Sequence, residues 1–276
     1  IHHRIWKSSN VESMPQRWKT AFLRCKDIHA PYDYQTMLWT DESIRDFIRE
    51  HYSWFLQTYD SYKYPIQRVD AARYFILYHY GGIYQDLDIG CVRPLEALRI
   101  AASARGKGVV LPKTHPIGLS NDVMLSSPKH PFFGAVIHAL QARNRWYGSA
   151  YPTVMFGTGP MFLTNIFHSV RGESGVWVLS PDVYAGISNV RFFKHHPGST
   201  WHGTDANMIK MTFFCLQAGA CSCLAALCMV VIGRRWPGTR NRRKKITALH
   251  LLSHRNNTMF NCGGGILLNR IGCEAC

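Results

Sequence analysis

The run Gly81-Gly82-Ile83-Tyr84-Gln85-Asp86-Leu87-Asp88 constrains this chain more than any other. Ahead of it, Pro65 stands where a helix begins, and Ile66, Val69, Ile76, Leu77 and Tyr80 recur at helical spacing. Gly81-Gly82 supplies the stop, since glycine tolerates the backbone angles that end a helix. The spacing predicts a helix from Pro65 to Tyr80 and then a strand, Ile83–Leu87. That strand delivers Asp86 and Asp88 at its C-terminal end, where open α/β sheets bind ligands. Residues two apart in a strand face the same side, so both carboxylates converge on one ligand. Such a pair suits a divalent cation held against a diphosphate. Aspartates are also common in turns, so the pair carries weight only through its neighbours.

The first 210 residues alternate strand-like and helix-like segments, the pattern of an α/β layer fold. Ile1–Trp6 reads as a strand, Gln16–Cys25 as a helix and Asp33–Trp39 as a second strand. Thr40 or Asp41 caps a helix through Arg49. Gly108–Leu111 reads as a strand, Pro131–Trp146 as a helix, Gly159-Pro160 as the start of a helix toward Val170, and Val176–Leu179 as a short strand.

A formal charge of +15 raises the question of a nucleic-acid partner. Its distribution argues against one. Residues 1–210 hold 23 Lys and Arg against 16 Asp and Glu, whereas residues 211–276 hold 9 against 1. The excess is concentrated beside an apolar stretch. Met211–Gly233 is uncharged for 23 residues, enough to cross a bilayer core of about 30 Å. Arg234 to Lys245 follows with seven basic residues, which marks the cytoplasmic side of a span. The expectation is therefore a lumenal domain over 1–210, a transmembrane helix over 211–233 and a basic, cytosolic, poorly ordered tail over 234–276. Residue 1 already lies in a strand-like run, which reads as a chain cut from, or missing, an N-terminal anchor. A glycan on the sequon Asn256-Asn257-Thr258 would reverse the expected orientation.

Four of the nine cysteines sit in the apolar stretch and three in the tail. Cys25 and Cys91 remain. An oxidising lumen permits them to pair, and spacing alone leaves open whether they do.

Asp70 and Arg73 are three apart and share a helix face. Alone they read as an ion pair. With Asp86 and Asp88 close behind, they read as a carboxylate for sugar hydroxyls and a guanidinium for a phosphate. Ser120-Asn121-Asp122 reads either as a local turn or as a sugar contact. His195-His196-Pro197-Gly198-Ser199-Thr200-Trp201-His202 combines imidazoles, a turn, a hydroxyl and an aromatic ring. Its histidines are either solvated or an additional metal ligand.

The run from Arg68 to Asp88 resembles the signature of the glycosyltransferases with a DXD sugar-binding region. So do Tyr62–Arg68, Ser120–Met124, His130–Phe133, Thr158–Pro160 and Ser199-x-Trp201-His202-Gly203. Within that family they are similar to the catalytic subunits of fungal mannosyl phosphorylinositol ceramide synthases. The resemblance covers about residues 1–210. It implies a GT-A fold, a Rossmann-like nucleotide-sugar-binding α/β architecture, here followed by one C-terminal transmembrane helix. It also implies a Golgi membrane address with the catalytic domain lumenal. The implied reaction is Mn²⁺- or Mg²⁺-dependent, retaining transfer of mannose from GDP-mannose to inositol phosphorylceramide. A membrane lipid surface and a regulatory membrane subunit are the implied partners, and nucleic acid is not.

Carried over residue by residue, the catalytic set is Asp70, Arg73, Asp86 and Asp88. Donor contacts fall to Asp70, Arg73, Tyr84, Asp86, Asn121, Asp122, Ser199 and Trp201. The metal falls to Asp86, Asp88 and His195, with Ser199 and Trp201 resembling a flap over the diphosphate. Residues Leu98–Ser120 and Tyr147–Thr153 are the expected acceptor-selecting stretches. Two other readings stay open: hexose or mannose transfer to protein-linked glycans, and a non-catalytic membrane scaffold subunit.

Overall fold

The computed structural model describes residues 1–114, 117–170, 175–185, 191–198 and 203–217, the last five without their side chains. The chain falls into two units, Ile1–Asn207 and Met208–Cys276. In chain order the first contains β1 (His2–Ile5), α1 (Gln16–His29), β2 (Thr36–Trp39), α2 (Asp41–His51), α3 (Ser53–Ser61) and α4 (Pro65–Tyr80). Next come β3 (Gly82–Gln85), β4 (Ile89–Cys91), α5 (Glu96–Ala104), β5 (Val109–Pro112), β6 (Val123–Ser126) and α6 (Pro131–Arg143). Then follow α7 (Ala150–Gly157), α8 (Pro160–Ser169), β7 (Val176–Leu179), α9 (Pro181–Tyr184) and β8 (Phe193–His195). The last described element, α10 (Thr204–Gln217), runs through the composition change at Lys210–Met211.

Six strands form one mixed, parallel-rich sheet in the order β2-β1-β3-β6-β5-β7. β1 runs parallel to β2 and β3, and β7 runs parallel to β5. Only β6 is reversed, pairing antiparallel with β3 on one side and β5 on the other. β4 and β8 form a separate antiparallel pair.

The pleat sorts side chains between two cores. Tyr84, Val109, Leu111 and Met124 face the cluster built on α4, α6 and α8, where Tyr74, Phe75, Phe133 and Phe162 are buried. Their neighbours Ile83, Val110, Val123 and Leu125 face the other way, against Leu95, Leu98 and Ala102 around α5 and Phe193 of β8. Strands covered on both faces read as continuous apolar runs, which is why Val123–Ser126 shows no alternation. A disulfide joins Cys25 of α1 to Cys91 of β4, 66 residues apart, with 5.1 Å between their Cα atoms.

Thr40 caps α2 through a reciprocal bond with Ser43, and α4 starts at Pro65 and stops at Gly81, as the sequence predicts. Gly81 has φ of 64°, and a methyl group there would meet Pro128 at 2.6 Å. Only glycine fits. One expectation is corrected. β3 ends at Gln85, so Asp86 and Asp88 are not strand residues. They lie in a turn closed by Ile89 N–H donating to Asp86 O at 3.1 Å, and turn geometry rather than the pleat sets their directions.

The expected span Met211–Gly233 lies outside the described residues beyond its first turns, as do its basic flank and the sequon. Among the described residues no helix is long and apolar enough to cross a membrane.

Candidate active site

α4 holds the centre of the site. Arg73 is buried at 2% exposure, with both Nη atoms engaged and its Nε without a partner among the described residues. Its Nη2 lies 3.1 Å from Asp70 Oδ1, and its Nη1 lies 3.3 Å from Asp86 Oδ2. Nη1 also donates to Asn121 O at 2.7 Å, and the guanidinium lies 4.7 Å from the Tyr84 ring centroid. A planar fork with several donors can hold helix, turn and β6 approach together, which a lysine ammonium cannot. Burial alone would lower the Arg73 pKa. The charges of Asp86, Tyr84 and Asp70 outweigh it and hold the guanidinium cationic.

Asp70 is bound from two further sides. Asn121 Nδ2 donates to its Oδ1 at 3.0 Å, and Thr158 Oγ1 donates to its Oδ2 at 3.0 Å. Burial still pushes its pKa up to about 6, with Arg73 pulling the other way. Asn121 Nδ2 also reaches Tyr74 Oη at 3.0 Å, and Tyr74 Oη donates to Thr158 O at 2.7 Å. A buried network this well satisfied is rigid.

The turn brings three carboxylates together. Asp86 accepts from Tyr84 Oη at 2.5 Å, and its N–H donates to Asp122 O at 2.8 Å. Burial raises the Asp86 pKa, with Arg73 opposing. Asp88 makes no ion pair among the described residues; burial, then the charges of Asp86 and Asp122, push it up to about 7. Asp122 behaves differently. Burial pushes it up, but hydrogen bonding and charge from His195, with bonds from Ser120 and Tyr184, leave it below its ordinary value. Ser120 Oγ donates to Asp122 Oδ1 at 2.6 Å, and Tyr184 Oη donates to Oδ2.

His195 stands opposite Ile89 in the β4–β8 ladder. Its Nε2 lies 2.7 Å from Tyr184 Oη and 3.4 Å from Asp122 Oδ2. Burial lowers its pKa, but its contact with Asp122 more than compensates and raises it overall. The imidazole is thus engaged with Asp122 and Tyr184. The next residues reach Asp88: His196 N–H donates to Asp88 O at 2.8 Å, and a methyl on Gly198 would overlap the Asp88 carboxylate. Ser199 and Trp201, expected to contact the donor, lie outside the described residues.

Sequence reasoning missed Arg4. It is fully buried in β1, and its Nη1 donates to Asp86 O at 2.7 Å and Gln85 O at 3.3 Å, holding the backbone of the turn. The signal was a cation inside a strand-like run. Tyr74, Thr158 and Tyr184 were also missed as site residues; Tyr74 and Thr158 lie in runs that carry the family resemblance, but only the fold places them against Asp70 and Asn121. A cavity of about 600 Å³ lined by Ile1, Tyr34, Glu96 and Arg99 contains none of the site carboxylates.

Residues 15–105, which include Asp70, Arg73, Asp86 and Asp88, match the family described as "Glycosyltransferase sugar-binding region containing DXD motif". The chain is 40% identical over 261 residues to inositol phosphoceramide mannosyltransferase 1 of Schizosaccharomyces pombe, covering 91% of this chain and 77% of that protein. The chain belongs to the DXD glycosyltransferases. It is also 43% identical over 215 residues to the mannosyl phosphorylinositol ceramide synthase SUR1 of Saccharomyces cerevisiae, covering 76% of this chain but 53% of that protein. The chain thus spans about half the length of that relative. Among solved structures, the PaToxG glycosyltransferase aligns at 17% identity with a TM-score of 0.43, over 62% of this chain and 68% of that one.

Asp86, Asp88 and Asp122 offer hard oxygen donors, which fit Mg²⁺ or Mn²⁺. Among the described residues no three His, Cys, Asp or Glu side chains form a ready cage. A cation shared between one or two carboxylates and substrate phosphates needs none. Burial raises Asp88 most, and the repulsion from Asp86 and Asp122 that adds to it is the kind a bound cation relieves.

Proposed function

We propose that this glycosyltransferase moves mannose from GDP-mannose to inositol phosphorylceramide with retention of configuration, on a GT-A frame and with Mn²⁺ or Mg²⁺. The observation that carries this reading is the Asp70–Arg73–Asp86 triad, with Asp70 and Arg73 buried, set against Asp88, which forms no ion pair among the described residues. It provides a hexose-binding carboxylate and a cation site side by side. The names of the two yeast relatives support mannose as the sugar and an inositol phosphoceramide as the acceptor.

Asp70, fixed by Asn121 and Thr158, accepts hydrogen bonds from the hexose hydroxyls. Arg73 keeps Asp70 and Asp86 in place and presents positive charge where the diphosphate departs. Asp88, helped by Asp86, would hold the cation, which supplies charge neutralisation for the leaving GDP. The bond from the anomeric carbon to the diphosphate breaks as the bond to an inositol oxygen forms on the same face. The hydroxyl proton passes to the departing diphosphate. Positioning and electrostatics carry the rate, and no protein nucleophile is invoked. A Golgi membrane location and a regulatory membrane subunit belong to the same proposal.

The test is transfer of labelled mannose to inositol phosphorylceramide by detergent-solubilised protein, with and without Mn²⁺. Metal-dependent mannosylated lipid, lost in Asp88→Ala, is the expected result. Donor hydrolysis with no lipid product would reject this acceptor.

A further inference from the structure

Beside Asp70 lies a wall that the donor reading does not use. It is made by the first turn of α4 and the last turn of α7. Thr158, just past α7, donates to Asp70, and a methyl on Gly157 would sit 3.3 Å from Gln67 Nε2. The segments leading into these two helices form its outer lip, and that lip is aromatic and basic.

Trp146 is 57% exposed and Phe156 is 37% exposed. Lys63 Nζ lies 4.9 Å from the Trp146 ring centroid and 5.6 Å from that of Tyr64. The Arg145 guanidinium lies 5.0 Å from the Tyr147 ring, which stacks on Phe156 at 5.9 Å. Neither Lys63 nor Arg145 forms an ion pair among the described residues. Single exposed aromatics are ordinary. Rings interleaved with uncompensated cations are the chemistry of a lipid–water interface, where the ring meets the acyl boundary and the cation meets phosphate.

Behind the lip, Gln67 Nε2, Tyr62 Oη and Tyr147 Oη are buried and have no hydrogen-bond partner among the described residues. Tyr62 and Gln67 are 3% and 1% exposed. Gln67 shares a helix face with Asp70, and the Asp70 charge reaches the Tyr62 hydroxyl strongly enough to add to the effect of burial on its pKa. Buried polar atoms without a partner are open to a ligand that carries hydroxyls.

We propose that Lys63, Tyr64, Arg145, Trp146 and Phe156 form the membrane-docking lip of the acceptor site. It receives an anionic, polyhydroxylated lipid headgroup from the bilayer, with Tyr62, Gln67 and Tyr147 as its hydroxyl partners. This deepens the proposed function and rests on it for the identity of the acceptor.

The test uses the full chain in neutral-detergent micelles containing the lipid acceptor, with donor hydrolysis in the absence of acceptor as a separate readout. Lys63→Ala/Arg145→Ala and Trp146→Ala should each raise the KM for lipid acceptor about tenfold while donor hydrolysis stays unchanged. An unchanged acceptor KM overturns the lip. If the wild type hydrolyses donor but glycosylates no lipid, the proposed acceptor fails, and docking is read separately. Vesicles of phosphatidylcholine brominated in its acyl chains, with added phosphatidylinositol, are used to quench tryptophan fluorescence in the wild type and in Trp146→Phe. Quenching that falls with Trp146→Phe supports docking, whereas equal quenching in the two overturns it.

Discussion

Arg73 is the residue on which the site turns, because its guanidinium joins Asp70 of its own helix to Asp86 of the turn and Asn121 before β6. Removing it strands the buried Asp70 carboxylate and the half-buried Asp86. Arg73→Ala should therefore cost about 3–5 kcal/mol of stability by chemical denaturation and lower transfer about 10²–10³-fold. Arg73→Lys should restore charge without the fork and recover little transfer. Asp70 gives a pH signature. Its folded pKa of about 6 lies above the ordinary value, so the folded state binds its proton more tightly. The stability contributed by that proton is full below the unfolded pKa and lost as pH rises through about 6. Unfolding free energies measured from pH 4 to 7 should show the wild type losing on the order of 3 kcal/mol relative to Asp70→Asn. Asp70→Asn should fail in transfer throughout.

At the level of elements, the Asp86–Ile89 turn is clamped from both sides. Arg4 of β1 holds its carbonyls from beneath, and the segment after β8 lies over Asp88. Gly198 is what permits that approach. Gly198→Ala should leave the melting temperature nearly unchanged while weakening Mn²⁺ activation of transfer, because the methyl group and the Asp88 carboxylate claim the same space. A metal titration of activity reads it. Arg4→Met tests the other side: it removes a buried cation with two unpartnered nitrogens but also the bonds that shape the turn. Stability should change little, and KM for the donor should rise.

Across the whole domain, the Cys25–Cys91 bridge ties α1 to the strand that follows the turn. Closing a loop of 66 residues contributes about 4 kcal/mol in the chain-entropy description. Cys25→Ser/Cys91→Ser should lower the melting temperature by roughly 10 °C, and reductant should do the same to the wild type but not to the variant. Transfer below the melting point should persist, since neither sulfur touches Asp70, Asp86 or Asp88. The three carboxylates, Arg73 and His195 come from α4, the turn, the edge of β6 and β8. The mixed sheet and the separate β4–β8 pair together assemble them.

The helix Pro65–Tyr80 and its stop at Gly81 were legible residue by residue because short-range rules govern them: proline at the first turn, glycine at the stop and apolar residues at helical spacing. The strand after it reads as far as Leu87 but ends at Gln85, so the turn that carries Asp86 and Asp88 was not legible. Thr40 at the start of α2 and Val176–Leu179 as β7 followed from the same kind of local chemistry. The reversed strand β6 was not legible. Val123–Ser126 is buried on both faces and carries no alternation, so its direction and register depend on β3 and β5, which frame it. That pairing brings Asn121 to Arg73 across 48 positions and places Asp122 beside Asp86. The β4–β8 ladder likewise puts His195 on Asp122 rather than on Asp88. Burial of apolar surface drives such pairings without regard to direction, and register then decides which side chains meet. The sequence alone marked Asp70, Arg73, Asp86 and Asp88 as candidates, because short-range chemistry names them, and the tertiary structure decided their partners, because strand register sets which distant side chains meet.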